Sequence, residues 1–538
     1  MADAEDDDDW DPLRDPADDP VADDPPPQAM KVTATMAEEK PPSFAEVFEA
    51  LNIKKPPAQE VQQAVVSEQP LVEGEQRRTY DIVVYGATGY TGCLVAEHLD
   101  SLFSEPGAKT HKWALAGRSR EKLERLAANC KTASGICVAS TEEGLSEMAS
   151  SCSVLINCVG PFLVHGPAVV AACVEQGTHY VDVSGEVAFA KRIIDSHDKA
   201  ARERGVKIVP YCAYDAGVFD IGGYLLAKRL GPLTQLREYY IVHPIPVKGG
   251  PSLSGLALLQ HASWSEIQNV SENPFSLGGE RECGVRDDDK DPSASKEDPL
   301  YPGAIWLARG AFAPVTTRNV RRTVELFEQT PAAKLQYGKS ICVMGHDACQ
   351  SKGQVRTRTN TTARTLLNPE QQQLQANATE EYIKSGAGGT PGMGPGRNMR
   401  AAIHSESFFV AQGEDDNWAH VHYQGPEVSE VTALVVVTGA LVLVEELESL
   451  LPLGGVLTPA FAFHGSTWIE RVVKRSFACA TGGEAMRFQV ADGKPLQEDL
   501  VKAIKAANEA VSAYGRQMAL GTLPNGGNEE PEMLMLKQ

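Results

Sequence analysis

The stretch Gly86-Ala87-Thr88-Gly89-Tyr90-Thr91-Gly92 follows four apolar residues, Ile82 to Tyr85, and spaces its glycines G-x-x-G-x-x-G. Backbone stripped of side chains where a buried strand turns into a helix suits the approach of a diphosphate to free N–H groups and the positive end of a helix dipole. Gly86 permits the tight turn, Gly89 the close approach and Gly92 the packing of helix on sheet, while the hydroxyls of Thr88 and Thr91 add donors. The next strand, KWALAG, ends in Gly117-Arg118-Ser119-Arg120. A carboxylate there would read a ribose 2′-hydroxyl, whereas a 2′-phosphate repels carboxylates and attracts Arg. The sequence therefore favours NADP(H) over NAD(H), with Arg118 as the main phosphate ligand and Ser119 and Arg120 beside it. A third segment, Cys158-Val159-Gly160-Pro161, closes the strand VLINCVG and is expected to wall the nicotinamide ribose with bare backbone. Cys158 reads as a packing residue, because no neighbouring His would lower its pKa. Tyr214 and Asp215, at an expected strand end facing the same crevice, are the candidate catalytic residues.

Other spacings carry less. Tyr224-x-x-x-Lys228 imitates an acid pair on one helix face, but the partner serine is missing and Tyr211-Cys212 stand in its place. His420-x-His422 would share a strand face without a third ligand in view, and Asp287 to Asp289 lack the glycine and Glu offsets of a calcium loop, so no metal is expected.

These residues need a frame. From Tyr80, strand and helix patterns alternate through DIVVY, KWALAG, VLINCVG, YVDVSG and VKIVPYC, which implies an α/β fold, a Rossmann-type doubly wound parallel sheet covered on both faces. We place the dinucleotide-binding domain at 79–215 and a second, α+β domain for substrate and oligomerisation at 216–450. Stretches 281–303 and 368–399 read as loop insertions, and 451–538 as a segment returning to the first domain before a helix and tail. Val431 to Val444 is too short an apolar run for a bilayer and reads as a buried helix.

Residues 1–78 form an acidic arm expected to be disordered, with one amphipathic helix near 43–53, where Ser43 and Glu46 make a capping box and Phe44, Val47, Phe48 and Leu51 share a face. Residues 1–40 carry fourteen Asp and Glu against three basic residues, half of the chain's net charge of −22. No basic stripe remains for a nucleic acid. Eleven scattered cysteines without a C-x-x-C pair, and a start lacking a basic-then-apolar leader, point to the cytoplasm.

GATGYTG, GRSREKL, NCVGPF followed by Gly166, YVDVSGE and the later GGVLTPAFAFHGSTWIERV (454–472) occur in an order that resembles the saccharopine dehydrogenase-like oxidoreductases, a group that includes the mycobacterial trans-acting enoyl reductases. The resemblance spans about residues 79–490 without the two insertions. It implies an NADP(H)-dependent oxidoreductase acting on an acyl-lipid or other apolar acceptor in a cavity supplied by the second domain. It also implies a link to lipid-droplet or membrane surfaces, with which animal relatives are associated. The chain departs from the family at Ala213 to Gly217, where a Phe-Asp-Ser type segment is usual, and at Gln424 to Glu427. Two alternatives stay open: an inactive NADP-binding scaffold whose helix 43–53 recruits a protein partner, and a lysine-pathway saccharopine dehydrogenase. The latter's tricarboxylate substrate needs converging arginines, and only Arg318, Arg321 and Arg322 offer themselves. A homodimer is compatible with either.

Overall fold

The computed structural model describes residues 78–519 and 528–529, apart from 245, 247, 281–283, 291–295, 356–367, 388 and 480–484. The arm up to residue 77, with the expected helix at 43–53, lies outside the described residues.

From Tyr80 the chain alternates: β1 (Tyr80–Tyr85), α1 (Tyr90–Ser104), β2 (Trp113–Gly117), α2 (Arg120–Ala127), β3 (Gly135–Val138), α3 (Glu142–Ser150), β4 (Cys152–Asn157), α4 (Phe162–Gln176), β5 (His179–Asp182), α5 (Val187–Glu203), β6 (Lys207–Val209) and α6 (Tyr214–Leu230). Ile82, Val83 and Val84 are wholly buried because β1 is covered on both faces. Each such side chain contributes about 1.5–3 kcal/mol on leaving water. The strands lie in the order β14-β6-β5-β4-β1-β2-β3, all parallel, with β14 (Gly455–Val456) brought back from far along the chain. Strand order reverses between β1 and β4, the switch point at whose carboxyl ends ligands of such sheets bind.

The second half contributes β7 (Leu233–Ile241), α7 (Gly249–His261), α8 (Trp264–Glu272), β8 (Lys296–Glu297), β9 (Trp306–Arg309), α9 (Ala313–Glu328), β10 (Cys342–Cys349), α10 (Pro369–Lys384), β11 (Gly394–Pro395), α11 (Arg397–Ala401), β12 (His404–Gly413), β13 (Trp418–Pro426) and α12 (Val428–Glu445). After β14 come α13 (Pro459–Ala462), α14 (Trp468–Cys479), β15 (Arg487–Asp492), α15 (Gln497–Ala519) and β16 (Asn528–Glu529). The mixed second sheet runs β15-β13-β12-β7-β10-β9-β8, and only β7 and β10 in it are parallel. Its outer face, with Tyr239, Ile241, Phe408 and Val410, packs under Leu500, Ile504 and Ala507 of α15. Its inner face, with Leu236, Tyr240, Phe409 and Tyr423, joins the apolar cluster that also holds Ile82, Val84 and Ile156 of the first sheet.

Three expectations need correction. The stretch 368–399 is not merely a loop: Asn368 accepts a hydrogen bond from Gln371 N at 2.9 Å and so caps α10, whose glutamines and alanines are good helix formers. The boundary at 215/216 does not separate two cores, since α6 crosses it and one cluster runs through both sheets. The segment after 451 is shared: β14 returns to the first sheet, where Asp198 accepts from Val456 N at 2.8 Å, while β15 and α15 complete the second. The apolar helix α12 is long enough to cross a membrane by composition, yet 72% of its most apolar window is buried between α1, α6, α14 and the first sheet.

Candidate functional site

Gly86 adopts φ +83°, and a Cβ there would come within 2.7 Å of Val159 Cγ2, so both backbone shape and space demand glycine. A Cβ on Gly92 would lie 2.1 Å from Gly86 O, which lets the first turn of α1 close down on the strand end. Gly89 differs. The only atom within 4 Å of a Cβ built there is Gly86 O at 3.3 Å, so among the described residues nothing fills the approach to it. The N-terminus of α1 at Gly89 has no side-chain cap and no acidic residue in its first turn. Orphan N–H groups facing an open approach without a competing carboxylate fit a pyrophosphate.

The flanking residues divide their labour. Ala87 is buried and its N–H is taken by Ala116 O at 3.1 Å, so it shapes the turn and leaves no donor free there. Tyr90, counted from sequence among the cofactor ligands, turns its side chain away: its hydroxyl donates to Pro395 O at 2.9 Å and its ring lies under Gly394. Thr88 and Thr91 are half-buried beside the turn. At the end of β2, Arg118 is exposed and makes no hydrogen bond or ion pair among the described residues, whereas Ser119 caps α2 and Arg120 lies 4.0 Å from Glu124. Arg118 alone of the three is uncommitted.

Across the switch point, Cys158 N donates to Tyr85 O at 2.8 Å and Val159 N to Asn157 Oδ1 at 2.9 Å, while Gly160 is exposed before Pro161. Burial pushes the Cys158 thiol far up, which removes it as a nucleophile. The strand ends are tied together by a chain of polar groups. Asn157 Nδ2 donates to Tyr180 OH at 3.0 Å, Tyr180 OH to Asp182 Oδ2 at 2.8 Å, and Asp182 Oδ1 accepts from Ser184 Oγ, Ser184 N and Tyr211 N at 2.7, 2.9 and 3.1 Å. Tyr211 is thereby held at φ +66°, a left-handed conformation that costs a bulky residue about 1–3 kcal/mol.

Tyr214 and Asp215 lie at the start of α6 and not at a strand end, because β6 stops at Val209. Asp215 Oδ2 stands 2.9 Å from where a Cβ on the exposed Gly185 would be, so this carboxylate borders the crevice. Burial raises it to about 6. Tyr214 packs edge-on to Phe312 at 6.0 Å, and Phe312 meets Tyr240 at 5.4 Å.

The sequence reading missed the inner face of the second sheet. Register places Tyr423, Ser407, Tyr240 and Asp347 side by side across β13, β12, β7 and β10. Next to this row sits Glu238, 7% exposed, accepting from Ser407 Oγ at 3.2 Å. Burial first, then the charges of Asp347 and Asp215, push Glu238 up to about 8, so its carboxyl is protonated at neutral pH. A Glu occupying an inward slot of the alternation Leu236, Glu238, Tyr240 was the available signal. The arginines of α9 are committed elsewhere: Arg318 donates to the carbonyls of Asn273, Pro314 and Ser271, Arg321 to those of Pro274, Asp289 and Val343, and Arg322 pairs with Glu325. Tyr224 is pushed up to about 12 by burial and bonds His464 at 3.0 Å, the opposite of an activated phenol.

The doubly wound sheet and the open glycine turn define a Rossmann-type dinucleotide-binding fold, with Arg118 free among the described residues at the end of β2. Residues 82–209 match the saccharopine dehydrogenase NADP binding domain. Through this domain the chain is similar to the saccharopine dehydrogenase-like oxidoreductases. It is 28% identical over 405 residues to a trans-acting enoyl reductase of Mycobacterium tuberculosis, covering 72% of this chain and 94% of that protein. It is 36% identical over 170 residues to a lipid droplet localized protein of Caenorhabditis elegans, 30% of this chain and 39% of that one. The apo saccharopine dehydrogenase (L-Glu forming) of Saccharomyces cerevisiae aligns over 77% of this chain and all of its own, at 11% identity and a TM-score of 0.37.

Proposed function

We propose that the protein reduces an activated carbon–carbon double bond in an apolar, acyl-type acceptor with NADPH. The observation that carries this reading is the buried Glu238, its carboxyl raised to about 8, beside Tyr240 and Tyr214 in an apolar wall, where the sequence alone offered only Tyr214 and Asp215. Bound NADPH supplies the hydride. The chain's own part is to seat the pyrophosphate on the N-terminus of α1, hold the 2′-phosphate with Arg118, and keep water out with the phenols and Phe312. Ser407 occupies Oε1 of Glu238 as a donor, which leaves the carboxyl proton on Oε2 for delivery through the Tyr240 and Tyr214 hydroxyls. An acceptor with three carboxylates is disfavoured, since the α9 guanidiniums are spent on backbone carbonyls and Glu325.

The relative named for lipid-droplet localisation supports an acceptor met at a lipid surface. A second reading, an NADP-binding scaffold, is favoured by the burial of Tyr214, Tyr240 and Glu238 at 6%, 4% and 7% exposure, which leaves an acceptor no open path to them. One assay separates the two. NADPH absorbance is followed with the full chain and enoyl-acyl thioesters or saccharopine-type substrates. Oxidation with the thioesters supports the reductase, and tight NADPH binding without oxidation by any acceptor supports the scaffold.

A further inference from the structure

The outer face of the second sheet gathers a cluster that the oxidoreductase site does not use. His404 and Glu406 are alternate residues of β12 and point to the same side, opposite to the inward Ser405 and Ser407. His243 follows the end of β7 in the same alternation as Tyr239 and Ile241. One ligand atom from each of His243, His404 and Glu406 lies within 4.8 Å of the others. The His243 and His404 rings have their centroids 4.0 Å apart.

His243 is 3% exposed, and among the described residues neither of its ring nitrogens makes a hydrogen bond of good geometry. Its Nε2 faces Glu406 Oε2 at 3.5 Å. A buried imidazole with no partner at Nδ1 and only a long contact to a carboxylate at Nε2 calls for an explanation, and an ion is one. The surroundings supply what such an ion requires. His422 Nε2 donates to Glu406 Oε1 at 2.6 Å and Gln424 Nε2 to the same oxygen at 3.2 Å, so both hydrogen bonds fall on Oε1 and leave Oε2 turned towards His243. Outer groups that orient a carboxylate in this way are the usual support of a ligand set.

We propose that His243, His404 and Glu406 bind one divalent zinc-class ion, with His422 and Gln424 orienting the carboxylate. Two imidazoles and a carboxylate form a familiar nitrogen–oxygen donor set for zinc, with the fourth position left to water. Zinc–nitrogen bonds of ~2.0–2.1 Å in tetrahedral geometry put donors roughly 3.3 Å apart, within reach of small side-chain rotations from the present spacing. The ion would clamp the end of β7 to β12 on the face away from the cofactor crevice. His420 is no part of it, because its Nδ1 bonds Gly493 O at 2.9 Å.

The test uses the untagged full chain, stripped with a chelator and titrated with zinc chloride against a chromophoric competitor, with thermal unfolding recorded in parallel. One zinc per chain and a raised melting temperature are expected. His243→Ala and His404→Ala should each weaken binding at least tenfold, His422→Ala by about 10- to 100-fold, and His420→Ala not at all. Cobalt in place of zinc should show nitrogen and oxygen ligation without thiolate bands. No stoichiometric uptake by the wild-type chain, which needs no variant to fold, would overturn the proposal. Uptake that survives both His243→Ala and His404→Ala, or thiolate bands with cobalt, would overturn it equally.

Discussion

Ser407 donates a hydrogen bond to Glu238 at 3.2 Å across 169 positions of sequence. The contact exists because β12 pairs antiparallel with β7, and it sets a neutral carboxyl beside the phenol of Tyr240.

Glu238 therefore governs pH dependence in two ways. Its carboxyl is lifted from 4.5 to about 8 in the fold. The folded state keeps a proton that the unfolded chain releases, so stability falls as pH rises from about 4.5 to 8, by at most about 1.4 kcal/mol per pH unit. Glu238→Gln removes that slope, which denaturant titrations across pH will read. The same variant should lose the proton-dependent part of NADPH oxidation, whose wild-type rate declines as pH passes about 8.

Arg118→Ala is expected to raise the dissociation constant for NADPH by about 10- to 100-fold, the value of one charged hydrogen bond of about 1.5–3 kcal/mol, and to leave that for NADH unchanged. Titration calorimetry with the two nucleotides checks this. Arg120→Ala should change neither, since Arg120 is exposed and pairs with Glu124.

Gly89→Ala and Gly92→Ala should fail differently. The Gly89 methyl would stand 3.3 Å from Gly86 O, a tight contact relieved by a shift of a few tenths of an ångström, so the melting temperature should drop only slightly while nucleotide binding is lost. The Gly92 methyl meets that oxygen at 2.1 Å, and the variant should unfold more easily, by about 1–3 kcal/mol. Thermal unfolding with and without NADPH distinguishes them.

His111 joins the first sheet to α12, with Nε2 2.7 Å from Glu445 Oε1 and Nδ1 3.6 Å from Asp81 Oδ2. Hydrogen bonds to Asp81 and then Glu445 raise it from 6.5 to about 9. Its contribution is fully present below pH 6.5 and is lost as pH rises through 9. His111→Gln should flatten stability over that window by up to about 1 kcal/mol, the pair being partly open to solvent.

Much of the first sheet was legible because its signals are local. Four apolar residues followed by G-x-x-G-x-x-G name a strand, a turn and a helix start within twelve residues, and Arg118 is read from a single position. Local signals failed where partners are distant. Tyr90 belongs to the glycine motif, yet its hydroxyl is claimed by Pro395, 305 residues on, and the low-complexity stretch before that proline holds a capped helix.

By its own pattern, then, the sequence determined the parallel α/β frame, the bare phosphate turn and the preference for a 2′-phosphate, since each is set by residues within one strand–helix unit. Strand pairing in the second sheet decided the rest. The row of Tyr423, Ser407, Tyr240 and Asp347 and the triad of His243, His404 and Glu406 lie on opposite faces of one sheet. Alternation along a strand tells which residues share a face, but only the register between strands far apart in the chain tells which of them meet.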